Sequence, residues 1–521
     1  MPIKNRTKNE FLMGKDSLFT DVFLNFGANS RLSQSPILEP HVPPYQTLSF
    51  LLLVLIILLV PTFFIPSDTS WPIRYPSAQH VAELLGPQPT CPSAPRPIDT
   101  VILSPELPAD TASAPSTDTP PPLPARPAAP RLANGGVGIE LFDNPQALSA
   151  FLEALARGEH GQRPVGVLHY ADSQAEGDLI SSTIRDMLQT RFGGMGIGLV
   201  HPGNKAQNLI GQRCSSGWHF SSVHGGTPIA RHYGVLGGLS TLTRADGEGQ
   251  WVRFAAHEVK RSGTRFSRIR LLVGHNDSLY SVLCTIDGLP ADSAAATPSR
   301  TLTAMQFEIP QGSNLTELRL RGAGAIHAYG MLQESERGLF VHNIPIRGSS
   351  GTFFSKLNEQ LARSLMAELN VRLIVVQFGI NAVPTSTTNY KFYENTMTAQ
   401  LNTLKRIRPE ASIVLVGVSD MSIKTANGYA SHPNVVRVRA AQRQAARRAG
   451  VAFWDCYLAM GGDNSMSAWT LASPQLGQKD FTHFTPRGAR RIGRMFANAL
   501  LNAYEHFQNQ PQQAGIARTS E

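Results

Sequence analysis

The sequence has little cysteine, little charge and no dense basic cluster. Four cysteines stand in 521 residues, and Cys91, Cys214, Cys284 and Cys456 are far apart with no CxxC pair among them. That spacing excludes a metal site of the zinc-ribbon type, and no metal or other cofactor is expected. Cys214 and Cys284 fall in one region and could pair in an oxidising compartment; the sequence leaves this open. Charged residues make up 16% of the chain, with a formal net charge of +9. The lysines and arginines are scattered instead of massed between aromatics, so nucleic acid is not an expected partner.

Long apolar runs are equally scarce, which makes the one present conspicuous. Leu48–Ile65 is 18 residues without a charge, enough for about 27 Å of helix at about 1.5 Å per residue. It starts too deep in the chain for a cleaved signal. Lys4, Arg6, Lys8, Lys15 and Arg31 precede it, whereas Arg74 and Arg96 alone follow it up to Thr100. The reading is a cytoplasmic segment over 1–47, one transmembrane helix over 48–65 and everything beyond it outside the cytoplasmic membrane, in the periplasm. Residues 66–135 are rich in Pro, Ala and Ser, too poor in apolar surface to fold, and read as an extended tether.

Folded periodicity begins near Gly136. Asn144–Gly158 reads as a helix. Val165–Asp178 (VGVLHYADSQAEGD) opens as a short apolar strand and breaks at Ala171-Asp172-Ser173, and Leu179–Phe192 follows with helical spacing. Strand, turn, helix lifts the Ser173 hydroxyl to the carboxyl end of a strand. Residues 202–324 lose helical periodicity. Short alternating runs at Trp251–Ala255, Arg268–Val273, Tyr280–Ile286, Met305–Ile309 and Thr316–Arg321 predict an antiparallel β-sandwich inserted between two parts of an α/β domain, 136–201 and 325–508. In the second part Ala325–Leu332, Phe340–Ile346, Val371–Phe378, Ser412–Val418 and Val451–Tyr457 read as strands. Ser355–Leu369, Tyr390–Ile407, Val436–Ala449 and Arg487–Phe507 read as helices, and 509–521 as a disordered tail. The expected fold is α/β, a flavodoxin-like doubly wound parallel sheet, with ligands beyond the carboxyl ends of its strands.

Those ends carry the polar residues. Arg347-Gly348-Ser349-Ser350-Gly351 follows one strand, Gly379-Ile380-Asn381 another, and Asp480-Phe481-Thr482-His483 leads into the last helix. Aspartate and histidine at i and i+3 can hydrogen-bond and orient the ring, so Ser173, His483 and Asp480 supply nucleophile, base and orienting acid. His169 is expected to face the sheet, and Asp172 to stabilise the turn. Gly351 is as available as Gly348 in its loop.

Four blocks in this order resemble the SGNH (GDSL-type) hydrolase superfamily: Ala171-Asp172-Ser173-Gln174, Gly348, Gly379-Ile380-Asn381 and Asp480–His483. The resemblance covers Val165–Phe507 apart from the insertion, and Ala171 departs from it where the family usually has glycine. Phe453–Trp469 is also similar to bacterial members, in which it forms a loop near the site. The resemblance implies Ser173 as acyl-accepting nucleophile, His483 as base and Asp480 as its partner. Its implied oxyanion hole consists of the Ser173 and Gly348 N–H groups and the Asn381 amide. It further implies an O-acetylesterase of peptidoglycan or another acylated cell-envelope polysaccharide, its insertion similar to a carbohydrate-binding module. Trp218, Phe220, Tyr233 and Trp251 are candidate sugar-stacking rings. Acyl transfer, with a membrane-bound O-acyltransferase as partner, and an inactive glycan-binding scaffold are the competing readings.

Overall fold

The computed structural model describes residues 130–133, 135–204, 211–224, 233–235, 237–255 and 265–509. The expected cytoplasmic segment, membrane anchor, nearly all of the tether and the tail from 510 lie outside these residues. Among the described residues no helix is long and apolar enough to cross a membrane.

The strand Val371–Gln377 shows how the α/β layers arise. Leu373 and Val375 enter one apolar core and Ile374 and Val376 the other, because successive side chains of a strand point to opposite faces. A strand apolar on both faces has to be covered on both. In chain order the elements are β1 (Ile139–Glu140), α1 (Ser149–Ala156), β2 (Pro164–Ala171), α2 (Leu179–Phe192), β3 (Gly338–Pro345) and α3 (Glu359–Glu368). They continue with β4 (Val371–Gln377), α4 (Lys391–Ile407), β5 (Ser412–Val416), α5 (Val435–Ala449), β6 (Ala452–Trp454) and α6 (Pro486–Asn509).

The sheet order is β1-β6-β5-β4-β2-β3, parallel except for β1 against β6. The five parallel strands thus have the flavodoxin-like order 2-1-3-4-5 when numbered among themselves. Helices α3, α4 and α5 cover one face, and α1, α2 and α6 the other. Two helices start later than their periodicity suggests. Asn144 donates its side-chain amide to Gly450 O at 2.7 Å, and α1 begins at Ser149. The Asn358 carboxamide oxygen accepts from Leu361 N–H at 2.9 Å, an N-cap that starts α3 at Glu359.

Between α2 and β3 the chain forms two antiparallel sheets. One orders Leu289–Ala296, Tyr280–Ile286, Leu315–Gly322, Ala245–Ala255 and Gln212–Cys214; the other orders Thr303–Glu308, Arg268–Gly274, Ile326–Glu334, Gly238–Leu242 and His219–Ser222. Both contribute to one apolar core. The Ile326–Glu334 strand, expected with the parallel sheet, instead pairs antiparallel with Arg268–Gly274 and with Gly198–Val200. Its sheet is buried on both faces: Ile269, Leu271 and Met331 face the antiparallel core, while Leu272, Tyr329 and Leu332 join the α3–α5 core. Continuous apolar character therefore did not distinguish it from a parallel strand.

Cys214, Cys284 and Cys456 are all free thiols. The strand register separates the first two: Cys284 lies opposite Leu318, Leu318 opposite Val252, and Val252 opposite Cys214. Three strand spacings of about 4.8 Å put them about 14 Å apart, roughly twice the reach of a disulfide.

Candidate active site

Ala171 ends β2 level with Pro345 of β3 on one side and Gln377 of β4 on the other. The loops carrying Ser173, Gly348 and Asn381 thus leave the sheet at one height. Moreover, β2 and β4 flank the point where strand order reverses, which opens a crevice in such sheets. The Ala171 methyl is accommodated because this residue is the buried last member of the strand and needs no left-handed backbone.

The Asp172 carboxylate accepts from Gln174 N–H at 3.0 Å, and this Asx turn starts the short 3-10 turn Ser173–Asp178. Burial pushes the Asp172 carboxyl up to about 7, against the lowering pull of the Gln174 N–H and of His483. At the other end of the turn Asp178 has a left-handed φ of 61°. It forms a two-pronged pair with buried Arg185 at 2.7 and 2.8 Å, clamping the start of α2.

Residues 310 positions apart in sequence meet at the turn: Ser173 Oγ and His483 Nε2 are 2.8 Å apart. His483 Nδ1 lies 2.7 Å from Asp480 Oδ2, and Asp480 Oδ1 accepts the N–H groups of Thr482 and His483, each at 3.0 Å. Partial burial alone would raise the Asp480 carboxyl. The His483 and Thr482 hydrogen bonds outweigh it and hold the group below its ordinary value. Serine, histidine and an ionised aspartate therefore form one continuous hydrogen-bonded chain. A ring held this way can take the Ser173 proton and remain stabilised as an imidazolium.

The loops after β3 and β4 supply donors. Gly348 is exposed with a left-handed φ of 74°. Among the described residues no acceptor is bonded to the N–H of Ser173 or of Gly348. The Gly351 N–H is engaged by Ser349 Oγ at 3.0 Å, so of the two glycines Gly348 is the available donor. Asn381 donates one amide hydrogen to Ser349 O at 3.0 Å, which ties the two loops together and leaves its second amide hydrogen. Gly379 before it has φ 128°, and a Cβ there would lie 2.7 Å from Gln442 Nε2.

Several residues at the site escaped sequence reasoning. Gln174 donates to Ser419 Oγ at 2.8 Å and to Thr482 O at 3.0 Å, strapping the Ser173 turn to the His483 loop. Its position directly after Ser173 was the one available signal. His224, from the antiparallel region, lies beside Gly348. The hairpin Ser422–Thr425/Gly428–Ser431 places Tyr429 on Phe481, within the Asp480–His483 block. His169 is buried between Ser181 Oγ (2.8 Å) and Gln377 Oε1 (2.9 Å). Burial lowers it to about 4, so it is a neutral core residue. Instead of a loop, Phe453–Trp469 runs through the end of β6, a short helix Cys456–Met460 and most of another, Ser465–Leu471.

Among the candidate sugar-stacking rings, Trp218 belongs to the antiparallel core and Tyr233 to the α3–α5 core. Neither is open to a ligand. Phe220 and Trp251 are half-buried, the latter beneath the Arg253 guanidinium at 4.2 Å. No group of His, Cys, Asp and Glu among the described residues could hold a metal ion.

Residues 309–491 match the GDSL-like Lipase/Acylhydrolase family. The matched span holds Gly348, Asn381, Asp480 and His483, while Ser173 lies before it, beyond the antiparallel sheets. The chain is similar in fold to a structure described as "Peptidoglycan O-acetylesterase in action", with a TM-score of 0.56, 20% identity, and coverage of 70% of this chain and 98% of that one. A family two carbohydrate esterase from Clostridium thermocellum in complex with cellohexaose matches at a TM-score of 0.22 and 10% identity, over 55% of this chain and 98% of that one. No curated protein matches the chain. With a GDSL-like acylhydrolase match over 309–491, and Ser173 hydrogen-bonded to His483 beside the strand-end loops of Gly348 and Asn381, the chain is a hydrolase of carboxylic esters that resembles the SGNH type.

Proposed function

We propose that the protein removes O-acetyl groups from a cell-envelope glycan through an acyl-enzyme on Ser173. The observation that carries this reading is the unbroken hydrogen-bonded chain Ser173–His483–Asp480. Ser173 Oγ attacks the ester carbonyl as His483 Nε2 takes its proton. The Ser173 and Gly348 N–H groups and the Asn381 amide receive the developing oxyanion, each donor worth about 100- to 1000-fold in rate. His483 then gives that proton to the departing sugar oxygen, which leaves as the free hydroxyl. Water, deprotonated by the same ring, releases acetate and restores Ser173.

The likeness in fold to a peptidoglycan O-acetylesterase supports the choice of an acetylated glycan. The uncharged run 48–65 and the basic residues before it support an anchored, extracytoplasmic catalytic unit.

The test measures acetate released from O-acetylated peptidoglycan and turnover of 4-nitrophenyl acetate by the full-length chain and its Ser173→Ala variant. Release from both that vanishes in Ser173→Ala is the expected result. Ser173-independent release, or acetyl passed to an added sugar acceptor in preference to water, would overturn it.

A further inference from the structure

Helices α5 and α6 are both rich in arginine, but their arginines touch different things. On α5, Arg439 pairs with Asp455, Arg443 with Glu140, Arg447 with Asp143 and Arg448 with Glu394. On α6, Arg487, Arg490, Arg491 and Arg494 are all exposed. None of these four forms an ion pair with a carboxylate among the described residues. Spacing of i, i+3, i+4 and i+7 aligns them as one stripe about 10 Å long. The stripe starts just past His483, and exposed Lys479 beside Asp480 extends the positive charge on the other side of the histidine.

Helix electrostatics make this arrangement unfavourable in isolation. The N-terminal turns of a helix carry the positive end of its dipole and favour acids. The first turn of α6 holds no acid, and the next two turns add three more cations. Opposite these arginines α6 buries Ala489, Ile492, Gly493 and Phe496, so the stripe lies on the face turned away from the core. Arg491 additionally lies over the Trp469 ring at 5.4 Å. Four cations without counter-charge, set against a dipole and beside a catalytic crevice, are complementary to an anion supplied from outside. The planar guanidinium fork suits carboxylates in particular.

We propose that this stripe is a docking surface for a carboxylate-bearing polysaccharide, holding an acidic glycan strand beside the Ser173–His483 pair. The proposal rests on the glycan-esterase reading above and narrows its substrate class from acetylated glycans in general to acidic ones.

The test uses the full-length chain and peptidoglycan sacculi, either native or with their carboxylates amidated by carbodiimide and ammonia. Binding is read by co-sedimentation in the Ser173→Ala background, which needs no turnover. Arg487→Gln/Arg490→Gln/Arg491→Gln/Arg494→Gln is expected to bind native sacculi about tenfold more weakly. Amidated sacculi should bind the variant and its parent alike. Raising the salt should weaken the parent's binding to native sacculi. With Ser173 present, the fourfold variant should retain its turnover of 4-nitrophenyl acetate. Arg490→Gln/Arg494→Gln, expected to lose about threefold, serves if the fourfold variant does not fold.

Undiminished binding of the variants to native sacculi would overturn the proposal. So would an equal loss on amidated sacculi. Failure of the esterase reading would show separately, as absent Ser173-dependent turnover of the small ester with the sedimentation result intact.

Discussion

Tyr429 lies flat on Phe481, with ring centroids 3.6 Å apart and planes 7° from parallel. Phe481 occupies the left-handed region at φ 56°, a conformation that costs a bulky residue about 1–2 kcal/mol. It is kept there by the Tyr429 ring, by Ser422 N–H donating to its carbonyl at 3.0 Å, and by its own N–H donating to Gln478 O at 3.0 Å. Asp480 and His483 stand on either side of this residue. Tyr429→Ala is therefore expected to lower kcat on a small ester by about three- to tenfold, with KM little changed and Tyr429→Phe close to the parent. Unchanged kcat with a raised KM on polymer alone would assign Tyr429 to substrate contact instead.

Replacing Asp480, the proposed triad acid, tests the ring's orientation. Asp480 accepts three N–H bonds, two from backbone and one from the imidazole. Asp480→Asn keeps an acceptor for the backbone donors but loses the charge that stabilises the imidazolium. The expected result is a kcat lower by about 100- to 10,000-fold, with the thermal midpoint nearly unchanged. A loss below about fivefold would remove Asp480 from the mechanism.

Three buried histidines are expected to weaken the fold in acid. Burial lowers His169 to about 4 and His201 and His342 to about 3. His342 Nδ1 accepts Leu199 N–H at 3.1 Å, a bond available to the neutral ring. Each folded value lies below the unfolded one near 6.5, so the unfolded chain takes up protons first. Stability from these groups is present above about pH 6.5 and falls as pH drops toward 4, by up to about 3 kcal/mol each. Urea midpoints measured from pH 7 to 4 should fall steeply, and His342→Gln should flatten the fall.

Asp172 has the opposite sign. Its carboxyl is pushed up to about 7 by burial, so its contribution is present at low pH and lost as pH rises through 7. Asp172→Asn mimics the neutral form. The variant is expected to match the parent's thermal midpoint near pH 4 and exceed it at pH 8.

The pair below the nucleophile turn is a stability determinant. Arg185 is 1% exposed and donates to both Asp178 oxygens and to Val341 O. Asp178→Ala leaves that charge buried without a counter-ion, which costs about 3–5 kcal/mol. Chemical denaturation should show the loss at neutral pH, and a cost under about 1 kcal/mol would mean that water reaches the guanidinium.

Much of this architecture was legible in the sequence because apolar periodicity reports burial. The Val371–Phe378 run and the amphipathic 390–407 segment correspond to β4 and α4 nearly residue for residue. Periodicity reports burial and not partners, so Ala325–Leu332 read as part of the parallel sheet although the strand it forms, Ile326–Glu334, hydrogen-bonds to antiparallel neighbours. Leu289–Ala296 escaped because it is a mostly exposed edge strand built from Ala, Ser, Asp and Pro. At the site, Ser173, Asp480 and His483 stood out through their local turns. Gln174 and Tyr429 did not, since what distinguishes them is a partner 245 or 308 residues away in one case and a stacked ring in the other.

The sheet containing Arg268–Gly274 and Ile326–Glu334 serves two interiors at once. Arg268 and Arg270 both pair with buried Glu334, and Arg270 reaches on to Glu368 of α3. Tyr233 O meanwhile accepts Asn358 N–H at the N-cap of α3. Cutting out residues 198–334 would therefore strip cover from Leu361 and Leu365, which Gly234 lies against, as well as remove the antiparallel unit. The region is not an exchangeable accessory: the hydrolase body is completed by it, and a shortened chain should aggregate instead of yielding a smaller esterase.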